Sequence, residues 1–492
     1  MHAPAPSPPT LAPADIRRIM VGLMLGLLLS ALDMTIVGPA LPTIGHDLGN
    51  FDLLSWVVTS YLLVSTACTP LYGKLADIHG RRIMLLIALT GFVIGSIACA
   101  LSPNLPTLIL ARGIQGLGGG GIMAVSMTII GDMVPPRERV KYQVYTSMVW
   151  VVSNIAGPVL GGYFAEHIHW SMIFWINVPI GVAAWLVLRA RLLLLPRHER
   201  PHTLDVLGAV LLMIASVLLT LGLTWGGGRM GWTAPLVLEI FAGSAVFWAL
   251  FAWRLRAAEE PLIPFSILRN QVVLRGTLSM SFATAAYIAL SIYVPIYFQA
   301  VQRLDVSLSG LAMIPLMIGA TIGSVLGLRL TRFFKRYLLI GVASVALSAI
   351  ATVPLILMPG SLSLWPAEAC MFVVALGVGP LFPLTNVAIQ SSVPLHELGT
   401  TTALTTFTRS LGSALGVAVI GTVIISGLAS GSGASGDVFA NAVQQAGPHV
   451  ATTFGIVFLI AAIAFAISSV GLSLVNAPPL DPKKQHAAPA PE

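Results

Sequence analysis

Gly73-Lys-Leu-Ala-Asp-Ile-His-Gly-Arg-Arg82 is a short polar stretch with apolar sequence on both sides. The run 83–101 that follows it carries no charged residue. A bilayer is crossed by ~20 mainly apolar residues in a helix, so this run reads as one crossing. The run 53–72 that precedes it reads as another. The polar stretch is then a tight connection between two spans. Working outward by the same criterion, further spans are expected near 17–39, 106–131, 140–165, 172–195, 204–224, 234–253, 274–299, 308–331, 337–357, 364–390, 401–426 and 450–475.

Composition requires the same solvent. Of 492 residues, 56% are hydrophobic and 9% charged, with mean hydropathy +0.89. Soluble domains carry about 25% charged residues. The 26 basic residues against 19 acidic ones are explained by placement, not by nucleic acid. With the N-terminus inside and a crossing at each span, 22 basic residues fall on the cytoplasmic side. Only Arg229 and Arg303 fall outside, and Arg112 and Arg409 lie within spans. That asymmetry is the positive-inside signature, and Lys483 and Lys484 favour an even number of crossings. Residues 1–14 are uncharged and rich in Pro and Ala, and 477–492 are polar and Pro-rich; both read as disordered tails. Cys68, Cys99 and Cys370 lie far apart and read as small buried hydrophobes.

The chain also repeats itself. Gly73 is followed by the pair Arg81-Arg82, and Gly327 by Lys335-Arg336, at the same offsets and before a new apolar run. The repeat is offset by eight helices. It divides the chain into six helices over 15–200, two linker helices over 201–261 and six more over 262–476. Paired bundles of this kind place a transport site at mid-membrane.

Several residues are costly where they stand. Asp33 lies in the first apolar run, ~21 Å from the cytoplasmic face at 1.5 Å per residue. Arg112 in the fourth run comes out at the same depth, ~21 Å. The two can form a static ion pair, or exchange partners as Asp33 binds and loses a proton; Gln115, one turn from Arg112, can join the same network. Asp77 can sit against a helix N-terminus, where a carboxylate is favoured, and Arg81 or Arg82 can pair with Asp132. Gly157-Pro158 and Gly161-Gly162 clear side chains from one face of the fifth helix and remove a backbone donor. The run Gly118–Gly121 reads as close packing.

In chain order, Leu32-Asp33, Trp56-Val-Val-Thr-Ser-Tyr61, the Gly73–Arg82 loop, Arg112-Gly-Ile-Gln-Gly116-Leu-Gly118, Gly157-Pro158-Val-Leu-Gly161-Gly162 and Phe174-Trp-Ile-Asn177-Val-Pro179-Ile-Gly181 resemble the major facilitator superfamily. Within it they are most similar to the fourteen-helix drug:proton antiporters. The resemblance spans essentially the whole chain. It implies an all-α membrane protein of two six-helix bundles plus two linker helices, with both termini in the cytoplasm of a bacterial inner membrane. It implies proton coupling at Asp33 and Arg112, and a conformational switch at Gly73, Asp77, Gly80, Arg81, Arg82 and Asp132. The partner of Asp77 would be the start of the thirteenth helix near Thr400–Thr402. Gly157, Pro158, Gly161 and Gly162 would form the antiporter motif that seals the outer side. The chain departs from the family where Trp170-Ser171-Met172 lacks the usual arginine. It departs again where 308–331 lacks the second carboxylate of some dication exporters, which points to monovalent cationic or neutral lipophiles.

Aromatic and amide side chains suit flat lipophilic substrates, and the candidates are Trp56, Tyr61, Gln115, Asn154, Tyr287, Tyr293, Gln299, Phe382 and Asn386, each with an equal claim to face lipid or a neighbouring helix. Glu239 and Glu368 read as packing or lipid-edge residues, and Arg409 as a partner of backbone carbonyls or of an anionic group. Glu166-His167-Ile168-His169 reads as a solvated turn, with no metal expected. No lysine is followed by Ser or Thr, so there is no P-loop, and the expected energy source is the proton gradient with no cofactor. One charge moved through 100 mV is worth ~2.3 kcal/mol. The partners expected are lipophilic small molecules, protons and the bilayer, with no nucleic acid and a monomeric protein. A periplasmic adaptor and an outer-membrane channel are left open. The alternative on the same scaffold is a dedicated exporter or importer of one metabolite. A membrane enzyme is disfavoured, since no G-x-S-x-G and no paired carboxylates at one depth occur.

Overall fold

The computed structural model describes residues 13–49, 53–54, 56–134, 136–191, 205–226, 230–304, 306–331, 333–334, 336–394, 397–429 and 448–476. The expected tails at 1–12 and 477–492 lie outside these residues; the first helix already begins at Pro13. The described residues form α1 (Pro13–Leu48), α2 (Trp56–His79), α3 (Arg81–Ala100), α4 (Leu105–Met133), α5 (Pro136–His167), α6 (Met172–Trp175) and α7 (Asn177–Arg191). The linker pair is α8 (Val206–Gly226) and α9 (Pro235–Ala257). There follow α10 (Phe265–Arg269), α11 (Gln271–Ala300), α12 (Val306–Leu311), α13 (Ile314–Leu330), α14 (Leu338–Ala351), α15 (Val353–Leu357), α16 (Leu364–Ser391), α17 (Leu398–Ala429) and α18 (Pro448–Ser473).

Among the described residues, thirteen helical stretches are long and apolar enough to cross a membrane. The remaining long helix is α2, 24 residues, whose last turns carry Lys74 and Asp77. Three expected spans are each broken in two, and each break has a proline just beyond it. Pro179, Pro315 and Pro354 have no N–H to give the carbonyl four residues back, and the breaks fall close to those carbonyls, between α6 and α7, α12 and α13, and α14 and α15.

The chain forms two compact units. One comprises the described residues of Met1–Pro135, Val152–Leu204 and Leu395–Ala403. Its centre is α4, against α2 and α3. Lipid tails give helices no hydrophobic reason to associate, so close packing of small residues and hydrogen bonds hold them together. Gly116 and Gly120, one turn apart, lie against the α2 backbone at Tyr61 and Ser65; Gly118 lies against α3 at Ala88 and Phe92, and Gly121 meets Tyr72 of α2 and Ala88 of α3. The glycine run thus opens two faces of one helix. On α5, Gly157 and Gly161 lie against Thr35 and Ile36 of α1, and Thr35 Oγ1 donates to the Ser153 carbonyl at 2.8 Å.

The second unit comprises the described residues of Pro136–Val151, Asp205–Pro394 and Leu404–Glu492. Here α16 is central, against α13 and α14. Gly319, Gly323 and Gly379 carry the α13–α16 contact, and Ser324 Oγ donates to the Gly379 carbonyl at 2.8 Å. Ser348 of α14 donates to Val374 O at 2.8 Å. The linker helices also belong to this unit. Asp205 caps α8, accepting from Gly208 N at 3.0 Å, and takes Arg254 Nε of α9 at 2.9 Å. Trp232 Nε1 donates to Thr422 Oγ1 of α17 at 2.6 Å.

The helix pairings of the first unit recur in the second, eight spans later. The pairs α2–α4, α3–α4, α1–α7 and α3–α7 correspond to α13–α16, α14–α16, α11–α18 and α14–α18. The match of two charged loops was the sequence signal of this repeat.

A Cβ on Gly118 would fall about 2.5 Å from the Ala88 carbonyl oxygen, whereas one on Gly38 meets nothing within 4 Å. Gly118→Val is therefore expected to lower the stability of the detergent-solubilised protein by roughly 1–3 kcal/mol. Gly38→Ala should be neutral or slightly stabilising, with both read by thermal unfolding.

Candidate functional site

The candidate site is the polar interior of the first unit. Asp33 on α1 is 0% exposed and Arg112 on α4 is 1% exposed, so neither charge reaches lipid. Met34, the next residue, is exposed; the helix turns its carboxylate inward. Arg112 Nη1 donates to Asp33 Oδ2 at 2.6 Å and to Gln115 Oε1 at 2.7 Å, and Arg112 Nε donates to the Val57 carbonyl at 2.9 Å. Gln115 Nε2 donates to Asp33 Oδ1 at 2.8 Å and to Ser96 Oγ at 2.9 Å. Asn177 Nδ2 donates to Asp33 Oδ1 at 3.0 Å, and Cys99 Sγ donates weakly to Gln115 Oε1 at 3.5 Å. The Gln115 amide has one orientation that works, with oxygen toward the cation and nitrogen toward the anion.

Aromatic rings close the cluster. The Arg112 guanidinium lies 4.4 Å from the Tyr61 ring centre and 5.7 Å from that of Phe174, within cation–π range. Tyr61 OH lies 3.2 Å from Ser30 Oγ. Tyr61 and Gln115, expected also to line a substrate pocket, are thus sealed inside the ion-pair cluster. Two buried ions strip each other of water at a cost of several kcal/mol each, which only close pairing and further hydrogen bonds offset. Both carboxylate oxygens of Asp33 accept hydrogen bonds, and the pair is buried from solvent.

The connection between α2 and α3 is a second cluster. Asp77 accepts from Gly399 N at 3.2 Å, Thr400 N at 2.8 Å and Thr400 Oγ1 at 3.0 Å, all at the first turn of α17. A carboxylate there meets unpaired N–H groups and the positive end of the helix dipole. Arg81 Nη2 reaches Asp77 Oδ1 at 3.4 Å, and Arg81 Nη1 forms an ion pair with Asp132 Oδ2 at the end of α4. Arg82 instead reaches the Arg189 carbonyl at 3.4 Å. Gly73 lies against Ala403 and the Gly399 carbonyl, where a side chain has no room. Gly80 has φ +88°, a left-handed conformation that favours glycine. The spacing of this motif is thereby explained residue by residue.

Of the residues expected to form an antiporter motif, Gly157 and Gly161 press on α1, Gly162 has open space around it, and Pro158 is exposed. Among the substrate candidates, Trp56 and Asn154 are half-buried in the first unit. In the second, Tyr293 OH donates to the Val417 carbonyl at 3.1 Å and Gln299 Nε2 to Ser309 Oγ at 2.9 Å, so both are engaged within the protein. Tyr287, Phe382 and Asn386 are half-buried. Ser96 and Asn177 complete the Asp33 cluster but were given no role by the sequence alone; uncharged hydroxyls and amides in apolar runs were the only signal available.

Comparison with known proteins agrees with this architecture. The family model described as Major Facilitator Superfamily matches residues 23–417. Multidrug resistance protein 3 of Bacillus subtilis (strain 168) is 34% identical over 412 residues, 83% of this chain and 80% of that protein. Multidrug transporter protein MdtP of the same organism is 32% identical over 408 residues, 82% of this chain and 75% of that one. Among solved structures, the human organic anion transporter MFSD10 (TETRAN) superposes with TM-score 0.64 at 18% identity, covering 92% of this chain and 100% of that one, a likeness of fold alone. With the charged loop, the paired helix bundles and the family model in agreement, the chain belongs to the Major Facilitator Superfamily.

Proposed function

We propose that this transporter is a proton-coupled antiporter of the fourteen-helix drug-exporting type, moving lipophilic monovalent cationic or neutral molecules out of the cell by alternating access. The observation that carries the reading is the sealed Asp33–Arg112 pair at 2.6 Å. A proton on Asp33 removes the anion that holds the guanidinium. A buried, unpaired charge costs about 3–5 kcal/mol. Protonation therefore favours any conformation in which Arg112 meets water or another acceptor, and proton release favours the closed cluster. A proton crossing 100 mV supplies ~2.3 kcal/mol toward that exchange. The names of the two Bacillus subtilis relatives support the export of drugs as the task.

In this reading the Asp77 cluster is the inner latch. Its hydrogen bonds to Gly399 and Thr400 hold the start of α17 while the Arg81–Asp132 pair holds α4. The face of α5 that carries Gly157 and Gly161 is the outer seal. The chain crosses a bacterial inner membrane fourteen times with both termini in the cytoplasm. Six helices lie in each of 15–200 and 262–476, and the linker helices lie within 201–261.

Asp33→Asn is expected to abolish gradient-driven dye accumulation in inverted vesicles while leaving expression and monodispersity intact. Uncoupler-sensitive pumping by that variant at the wild-type rate would sink the coupling assignment. Asp77→Asn keeps the side chain but loses its charge at the helix end, a change of roughly 0.3–2 kcal/mol. Turnover is expected to fall by up to about tenfold with little change in substrate KM, measured as initial rates. Reporter fusions test the topology. Those at Ser102 and Trp232 should be active only outside the membrane, and those at Arg269 and Arg336 only inside.

A further inference from the structure

Arg409 is the second cation inside an apolar span, and its surroundings are the opposite of those of Arg112. It lies 11 residues into α17, half-buried, and its guanidinium sits 5.8 Å from the ring centre of Phe382 on α16. Among the described residues it has no ion pair and no hydrogen bond. Glu368, the acid within α16, stands 14 residues before Phe382, ~21 Å away along the helix axis, and cannot neutralise it. Asn386, one helical turn beyond Phe382 on the same face, is also half-buried and has no hydrogen-bond partner among the described residues.

The placement of Arg409 is fixed by packing. Gly412 and Gly416 of α17 lie against Ser281 and Ala285 of α11, and Thr405 Oγ1 meets Thr277 Oγ1 at 3.2 Å. Residues 405, 409, 412 and 416 fall on one stripe of the helix, so the backbone that carries Arg409 is held tightly on both sides. The Ser281 hydroxyl beside Gly412 is buried and unpartnered. The arrangement repeats one in the first unit. There, Asn154 precedes Gly157 and Gly161 as Arg409 precedes Gly412 and Gly416, and those glycines press on α1 as these press on α11. The two units thus present a half-buried polar side chain at equivalent places, an amide in one and a cation in the other.

A charged side chain kept inside a span without a protein counter-ion has a ligand as its natural partner. A planar guanidinium above an aromatic ring, with an amide donor one turn away, suits a carboxylate or similar oxyanion on an aromatic or otherwise lipophilic body. We propose that Arg409, Phe382 and Asn386 form a receptor for the anionic group of lipophilic organic acids. This extends the substrate range of the exporter described above to amphiphilic anions. It rests on that reading for its use in transport, while the binding itself is measurable without a gradient.

The test uses purified full-length protein in detergent with a matched pair of probes, pyrenebutyrate and its methyl ester, binding being read by tryptophan fluorescence. Wild type is expected to bind the acid about tenfold or more tightly than the ester, the size of a charge-assisted contact. Arg409→Gln should bring that ratio to within about twofold, Arg409→Lys should keep part of it, and Asn386→Leu should lower it by a smaller factor of roughly 3. No preference in wild type, or an unchanged preference in Arg409→Gln, overturns the proposal. If Arg409→Gln does not fold, the wild-type ratio and the Asn386→Leu and Arg409→Lys variants decide it by the same criteria. Selective binding of the acid without gradient-driven export leaves the receptor standing and counts against the exporter reading instead.

Discussion

One carboxylate and one guanidinium held 2.6 Å apart, with no exposure to lipid or water, set the terms for the rest of the first unit. Close geometry and further hydrogen bonds are what offset the cost of taking such a pair out of water. Two other helices and α4 itself supply partners directly, the Val57 carbonyl of α2, Asn177 of α7 and Gln115 of α4, while Ser96 of α3 holds Gln115. The same requirement makes α4 the hub of the bundle. Its glycines let α2 and α3 approach closely enough for their polar atoms to reach the ions. Helix packing and ion-pair satisfaction are therefore one constraint expressed in two ways.

The cost of that arrangement is what makes it usable for transport in the proposed cycle. In a low-dielectric interior, removing one charge of a hydrogen-bonded ion pair leaves the other buried and unpaired, which drives rearrangement. The latch around Asp77 is built on different physics. It adds a helix end, two backbone N–H groups and a hydroxyl to the ion pairs of Arg81 with Asp77 and Asp132.

The two units share their helix pairings but not their chemistry. The first pairs Asp33 with Arg112 in its interior; the second leaves Arg409 without an ion pair among the described residues, over the Phe382 ring. Duplicated scaffolds can diverge this way because the packing is set by glycine and serine positions on the helix faces. Polar side chains at the intervening positions are then free to differ.

Much was legible from the chain alone. Apolar run length located the long helices, because hydrocarbon thickness sets the length of a crossing, but α1 runs on to Leu48 and α2 to His79, well past their apolar runs. The shared depth of Asp33 and Arg112 followed from helical rise, and the Gly73–Arg82 spacing was informative because Gly73 needs a close backbone approach and Gly80 a left-handed φ. Proline positions broke three spans, a local effect that run length does not register. Only the tertiary structure decided which way each side chain turned. Tyr61 and Gln115 close the ion pair, Arg81 rather than Arg82 takes Asp132, and Ser96 and Asn177 are recruited to Asp33. In a sequence that is apolar on every helix face, hydropathy carries no phase, so the inward face emerges only when small residues on neighbouring helices meet.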